Sequence, residues 1–354
     1  MKSDINYKRI VIKIGTSILT DKENHLDTGL VNNIAYQVSS LIDAGKEVIL
    51  VSSGAIASGL DMLGLKRRPT QLKDLSALAS LGQIALMDAY QESFKNLRKN
   101  CAQVLLTWDD FDNRSRFLNA KKTLVRLLEY KAIPIINEND SVSTEEIKFG
   151  DNDKLSALVA NLLSADILII LSDVDGLYER KEKRLIYRVE KVDNSVMRLA
   201  CGSEKFSCVG GMYTKLEAIK IANDAGIPAI LANGKEENIL VDIVGGREVG
   251  TYFCAGLKRE HKKIWIASGT KPKGKILVDE GAKVAIISKN TSLLSVGIVE
   301  VIGEFKANSV VLISDKSGNN FAKGITKFSS SHINQIRGKK GQPEVVHRND
   351  LVLI

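Results

Sequence analysis

Two lysines and one dense run of acids and amides are the residues best suited to chemistry. Lys13 stands inside an otherwise apolar run, RIVIKIG (9–15), and Lys215 follows a glycine pair in VGGMYTK (209–215). A lysine within a buried strand destabilises the fold unless its ammonium meets a partner or its stem carries the charge to the strand end. The acids lie in NENDSVSTEEIKFGDNDKLSA (137–157), where Glu138, Asp140, Glu145, Glu146, Asp151 and Asp153 are interleaved with Asn137, Asn139 and Asn152. One use for them is local: Asp151, Asn152 or Asp153 could cap a helix beginning near Lys154. Another is to bind an ammonium group, to meet a magnesium ion, or to hold catalytic lysines in place. Magnesium prefers few carboxylates together with phosphate oxygens, so the acids need not form a metal cage. The pattern singles out no residue as a metal ligand.

Three small-residue loops accompany the lysines: Gly15-Thr16-Ser17, Ser52-Ser53-Gly54, and Val209-Gly210-Gly211 ahead of Met212, Tyr213 and Thr214. Glycines at helix entrances let backbone N–H groups approach an anion, and a helix N-terminus favours negative charge. Each loop alone is equally an ordinary tight turn. Together with two lysines they suit phosphates, yet neither GxxxxGK[ST] nor GxGxxG is present where a Walker or dinucleotide site needs it.

These residues need elements to position them. Apolar, β-branched runs at 9–14, 47–51, 103–106, 133–136, 167–171 and 229–232 alternate with helical patterns at 29–44, 72–96, 116–130, 154–163 and 212–225. Strands apolar throughout are buried on both faces, and alternation with helices predicts an αβα sandwich around a mainly parallel sheet. In such sheets ligands bind beyond the carboxyl ends of the strands. The three small-residue loops fall there, as do Ser172 and Asp173 in ILSDVDGLY. From about Lys273 short strands with Gly, Asn, Asp and Ser turns and little helical periodicity predict a small β-barrel-like domain. The expected division is 1–257, a charged linker over 258–272, and 273–354.

The totals set limits. A chain of 354 residues exceeds one ordinary core. The opening MKSDINYKR is polar and predicts no signal segment, and no apolar run reaches the roughly 18 residues of a membrane helix. Four scattered cysteines and four histidines give neither a disulfide framework nor a zinc site, and imply a reducing cytoplasm. The charge is uneven: residues 258–354 hold 17 Lys and Arg against 8 Asp and Glu, a net +9, while the first 257 residues carry −1. A basic tail suits nucleic acid or simply a solvated lysine-rich surface.

The motifs VIKIGTS, VSSGAIASG, RFLNAKKTL, PIINENDSV, IKFGDNDKLSALVA, LSDVDGLY and GGMYTK occur in one order across the chain. So arranged, they resemble the amino acid kinase family, and within it the glutamate 5-kinases; the tail resembles a PUA domain. The resemblance implies ATP-dependent phosphorylation of the side-chain carboxylate of L-glutamate, at the start of proline biosynthesis, with Mg²⁺. It implies that Lys13 and Lys215 surround the transferred phosphoryl group, with Asp153 orienting both. Ser53, Asp140 and Asn152 would bind glutamate; Lys13, Ser172, Asp173 and the segment Val209-Gly210-Gly211-Met212-Tyr213-Thr214-Lys215 would line the ATP site. Family members often carry threonine where this chain has Val209, so a hydroxyl donor is missing there. The resemblance further implies feedback inhibition by proline, a homodimer or homotetramer, and a glutamyl-phosphate reductase that consumes the product.

Rival readings are weaker. An N-acetylated substrate has no ammonium for the acidic segment to bind, a nucleotide substrate would want arginines there and finds none, and aspartate is the remaining alternative within the fold. As an RNA-binding protein the tail would offer few stacking aromatics: Trp265, Phe305, Phe321 and Phe328.

Overall fold

The computed structural model describes residues 6–21, 25–142, 151–179, 182, 184–200, 211–256, 263, 265–266 and 270–354. The chain divides into two compact units, Met1–Lys258 and Arg259–Ile354. Most of the linker expected at 258–272 lies outside the described residues.

In the first unit the apolar runs become β1 (Arg9–Ile14), β2 (Glu47–Ser52), β3 (Asn100–Leu106), β4 (Ala132–Glu138) and β5 (Ile167–Ser172). They are followed by β6 (Arg188–Val189), β7 (Ala229–Asn233) and β8 (Thr251–Phe253). One eight-stranded sheet holds them in the order β3-β4-β2-β1-β5-β7-β8-β6. The six longer strands are parallel to one another; β8 runs antiparallel to β7 and carries β6 at the edge. Two- and three-residue strands have no periodicity to read, so sequence pattern does not reveal β6 and β8.

The helices are α1 (Thr16–Leu19), α2 (Thr28–Asp43), α3 (Ala55–Met62), α4 (Leu72–Asn96) and α5 (Trp108–Asp112). After them come α6 (Arg114–Glu129), α7 (Asp151–Leu163), α8 (Asn194–Leu199), α9 (Gly211–Asp224) and α10 (Ile239–Val244). Strand alternation sorts the sheet into two faces. Ile10, Ile12 and Ile14 of β1, Leu50 of β2 and Ile135 of β4 share one core with Leu78 and Leu86 of α4. Val11, Lys13, Val51 and Ile170 therefore look the other way, onto the face where α7 packs. On the first face α3 and α4 cross very closely. A Cβ at Gly59 would lie 2.1 Å from the Leu78 carbonyl oxygen, and one at Gly82 would lie 1.9 Å from that of Ala55.

The second unit contains β9 (Lys275–Val278), α11 (Glu280–Lys289), β10 (Leu293–Leu294), β11 (Ile298–Ile302) and β12 (Val310–Ser314). Then follow β13 (Asn320–Ile325), α12 (Ser330–Ile336), β14 (Glu344–Val346) and β15 (Leu351–Leu353). A five-stranded, mostly antiparallel sheet runs β11-β9-β12-β13-β15, beside a β10-β14 pair. Ile276, Val311, Ile313, Ile333 and Val345 form its own core. The tail is β-rich as expected, and two helices that its sequence pattern does not reveal pack with the strands. In α11 only Ile286 is buried while Val284 and Ile287 face outward, so no apolar stripe marks the helix; Asp279 caps it by accepting from Ala282 N–H. Among the described residues no helix is long and apolar enough to cross a membrane.

Candidate active site

Lys13 sits one residue from the carboxyl end of β1, the strand between β2 and β5, with Val51 and Ile170 as its neighbours in register. Its side chain takes the α7 face, and Asp153 stands in the first turn of α7. That helix begins at Asp151, three residues before the expected start near Lys154, so Asn152 and Asp153 are helical rather than part of a loop. Acids in a first turn are favoured by the helix dipole. Lys13 Nζ lies 2.6 Å from Asp153 Oδ1, both side chains almost fully enclosed, and Lys215 Nζ is 3.6 Å from Asp153 Oδ2. Thr214 Oγ donates to the same Oδ2 at 2.9 Å, and Lys215 also donates to the Gly211 carbonyl at 3.0 Å. The packing of α7 against α9 brings these two first turns together.

Electrostatics make this a single unit. Burial is the largest influence on Lys13 and pushes its ammonium below the ordinary lysine value; the Asp153 carboxylate opposes this and the Lys215 charge adds to it. Burial acts upward on Asp153 too, but the Lys13 and Lys215 charges and hydrogen bonds from Lys13 and Thr214 outweigh it and hold the carboxyl below its usual value. The result is an ionised carboxylate gripping two cations at the mouth of the sheet.

Beside it lies an amide cluster. Asn152 Nδ2 faces three acceptors, the Ser52 carbonyl at 3.1 Å, Ser53 Oγ at 3.2 Å and Asn137 Oδ1 at 2.9 Å. Asn152 Oδ1 is enclosed and has no hydrogen-bond partner among the described residues. Asn137 Nδ2 donates to Gln83 Oε1 at 2.7 Å, and Ser52 Oγ bonds the Tyr90 hydroxyl at 3.0 Å. Ser52 and Asn137 end the α4-facing rows of β2 and β4, which is why two residues of α4 reach them. Asp140 follows β4 and feels the charge of Arg68. It also lines a cavity of about 410 Å³ with Gln83, Ile84, Met87, Leu105 and Glu138.

At the end of β5, Ser172 Oγ donates to Asp173 Oδ1 at 3.1 Å. Burial acts upward on the Asp173 carboxyl. Its own backbone N–H, the Ser172 and Ser17 hydroxyls and the Lys215 charge together hold it below its ordinary value. Met212, Tyr213, Thr214 and Lys215 form the first turn of α9 with Gly211; Val209 and Gly210 lie outside the described residues, as do Glu145 and Glu146. Two expected phosphate donors are otherwise engaged. Gly15 N–H bonds the Leu171 carbonyl at 3.2 Å and Ser53 N–H bonds that of Ile14 at 3.1 Å, closing the sheet end. Sequence reasoning misses Gln83 altogether; it expects Thr214 at the nucleotide rather than on Asp153, and it singles out Asn137 in the acid-and-amide segment without a role. Among the described residues no three His, Cys, Asp or Glu side chains gather as metal ligands.

Comparison with known proteins places this geometry. The amino acid kinase family model matches residues 8–233 and the PUA domain model matches 274–344. A glutamate 5-kinase of Geobacter sulfurreducens is 43% identical, and one of Thermoanaerobacter sp. 40%, each over 98% of both chains. A carbamate kinase from Giardia lamblia, solved bound to AMP-PNP, is 19% identical with a TM-score of 0.52, over 70% of this chain and 98% of that one, and shares the fold. With most of the chain matched in order and the parallel sheet in place, the chain belongs to the amino acid kinase family, on its glutamate 5-kinase branch, and carries a PUA domain in its tail.

Proposed function

We propose that this chain transfers the γ-phosphoryl group of ATP to the side-chain carboxylate of L-glutamate, giving L-glutamyl 5-phosphate and ADP. The observation that carries the reading is the pair of lysines held on one enclosed carboxylate, Lys13–Asp153–Lys215, at the carboxyl end of the central strands. Glutamate's side chain is ionised near neutral pH, with a reference pKa of about 4.3, so no general base is required. One of its oxygens bonds to the γ-phosphorus as the bond from that phosphorus to the β–γ bridging oxygen breaks. The obstacle is the approach of two anions, and catalysis is positioning and positive charge. In this reading Lys13 and Lys215 face the transferred group and Asp153 keeps two like charges side by side. Ser53, Asn152 and Asp140 hold glutamate, with Asp140 and the Asn152 side-chain oxygen toward its ammonium. Ser172, Asp173 and the start of α9 line the nucleotide.

A magnesium ion would be held mainly by the nucleotide's phosphate oxygens with few carboxylates, and would supply positive charge there. Resemblance to glutamate 5-kinases supports the remaining parts of the proposal: proline as an inhibitor, a homodimer or homotetramer, a reductase that consumes the labile acyl phosphate, and residence in the cytoplasm.

Steady-state kinetics of two variant pairs test the assignment. Lys13→Met and Lys215→Met should each lower kcat by about 10²–10³, the scale for losing one charge-stabilising donor. Ser53→Ala and Asn152→Ala should instead raise the KM for glutamate and leave that for ATP in place. The same kinetic change in both pairs would contradict the division of roles.

A further inference from the structure

Gln83 belongs to no motif that the function uses, yet it terminates a chain of side-chain hydrogen bonds that leads to the proposed substrate site. Its Oε1 accepts from Asn137 Nδ2 at 2.7 Å. That bond orients the Asn137 amide, whose Oδ1 then accepts from Glu138 N–H at 2.9 Å and from Asn152 Nδ2 at 2.9 Å. Asn152 in turn directs its nitrogen at Ser52 and Ser53, which leaves its Oδ1 as an enclosed acceptor without a partner among the described residues.

An amide has a donor end and an acceptor end, so a row of amides has a polarity, and fixing one member constrains the next. Asn137 is only 2% exposed. If Gln83 offers no acceptor, Asn137 Nδ2 is left unsatisfied inside the protein, which is costly. Turning the Asn137 amide to relieve this points its donors at Asn152 Nδ2 and at Glu138 N–H, and Asn152 loses its shortest bond. The position of Gln83 is itself set by packing. Gly82, next to it, lets α4 approach the backbone of α3 more closely than any side chain would allow.

We infer that Gln83 is a positioning residue for substrate specificity: through Asn137 it holds Asn152 with its acceptor oxygen presented to the α-ammonium group of an amino-acid substrate. The inference rests on the proposed glutamate site and deepens it.

The test uses the full chain with Gln83→Met, which keeps the shape without the polar end, and Gln83→Glu, which keeps an acceptor. Each is assayed with Mg-ATP, hydroxylamine as the trap, and either L-glutamate or L-2-hydroxyglutarate, in which a hydroxyl replaces the ammonium. Gln83→Met is expected to raise the KM for glutamate by about tenfold, the scale of one lost hydrogen bond. Its KM for ATP should stay within about twofold, and its preference for glutamate over the hydroxy acid should fall by about tenfold. Gln83→Glu should keep most of that preference. An unchanged preference in Gln83→Met, a parallel rise in both KM values, or equal losses in the two variants would overturn the inference. Failure of the unmodified chain to form hydroxamate from glutamate would instead overturn the site reading beneath it, so the two failures are distinguishable.

Discussion

At the scale of residues, Asp153 is the pivot. It receives Lys13, Lys215 and Thr214 in a nearly closed space, and its removal would leave two ammonium groups facing each other with only the more distant Asp173 charge to offset them. Breaking an enclosed ion pair from one side costs about 3–5 kcal/mol, so Asp153→Asn should both lower the melting temperature and abolish most activity, checked by calorimetry and turnover. The pH dependence has two signs. The Asp153 carboxyl sits below its unfolded value, so its contribution to stability is full above about pH 4 and disappears as pH falls through the lower folded value. The Lys13 ammonium is also displaced downward, mainly by burial. Its proton leaves at lower pH than that of a free lysine, so kcat/KM for ATP should decline on the alkaline side before pH reaches about 10.4; a limb at the free-lysine value would contradict that placement. Lys13 was legible in the sequence because a charge inside RIVIKIG demands a partner. Which acid answers it was not legible from the segment itself, where six carboxylates lie; the family resemblance singles out Asp153, and Lys13 and Lys215 both meet that acid in the fold.

At the scale of elements, the site depends on how α3, α4, α7 and α9 meet the strand ends. The long strands and α4 were readable, because uniform apolar runs and a 25-residue helix leave clear patterns. The start of α7 was not: a helix opening on Asp-Asn-Asp looks like a capped loop from sequence, and the dipole tolerates those acids inside the first turn. The α3–α4 crossing was likewise hidden, since it is the packing of the two helices that sets Gly59 and Gly82 against backbone. At Gly82 a methyl group would meet the Ala55 carbonyl oxygen at 1.9 Å and Gly59 N at 2.3 Å, so the helices must separate. Gly82→Ala is expected to destabilise the fold by about 3 kcal/mol, at the upper end of overpacking effects, and to lower the melting temperature by about 6–12 °C. Because α4 also bonds Asn137 and Ser52, the variant's KM for glutamate should rise in assays well below its melting point.

At the scale of the whole molecule, two units with different grammars share one chain, and the charge asymmetry follows the boundary. The net +9 of residues 258–354 predicts salt-sensitive retention of the whole chain on heparin that residues 1–257 alone lack; equal elution of the two would show that the tail's lysines form no polyanion-binding surface. The parallel sheet and its site edge could be read from alternation alone, whereas the tail's helices could not, because α11 turns its apolar residues outward. The site's amide cluster arises from four separate segments and becomes visible only when the sheet brings their ends together. The most direct test of the whole account is product trapping. Purified protein with Mg-ATP and excess hydroxylamine is offered L-glutamate, N-acetylglutamate, L-aspartate and UMP in parallel. The account predicts hydroxamate from L-glutamate alone; hydroxamate only from N-acetylglutamate or aspartate, or ADP release only with UMP, would contradict it.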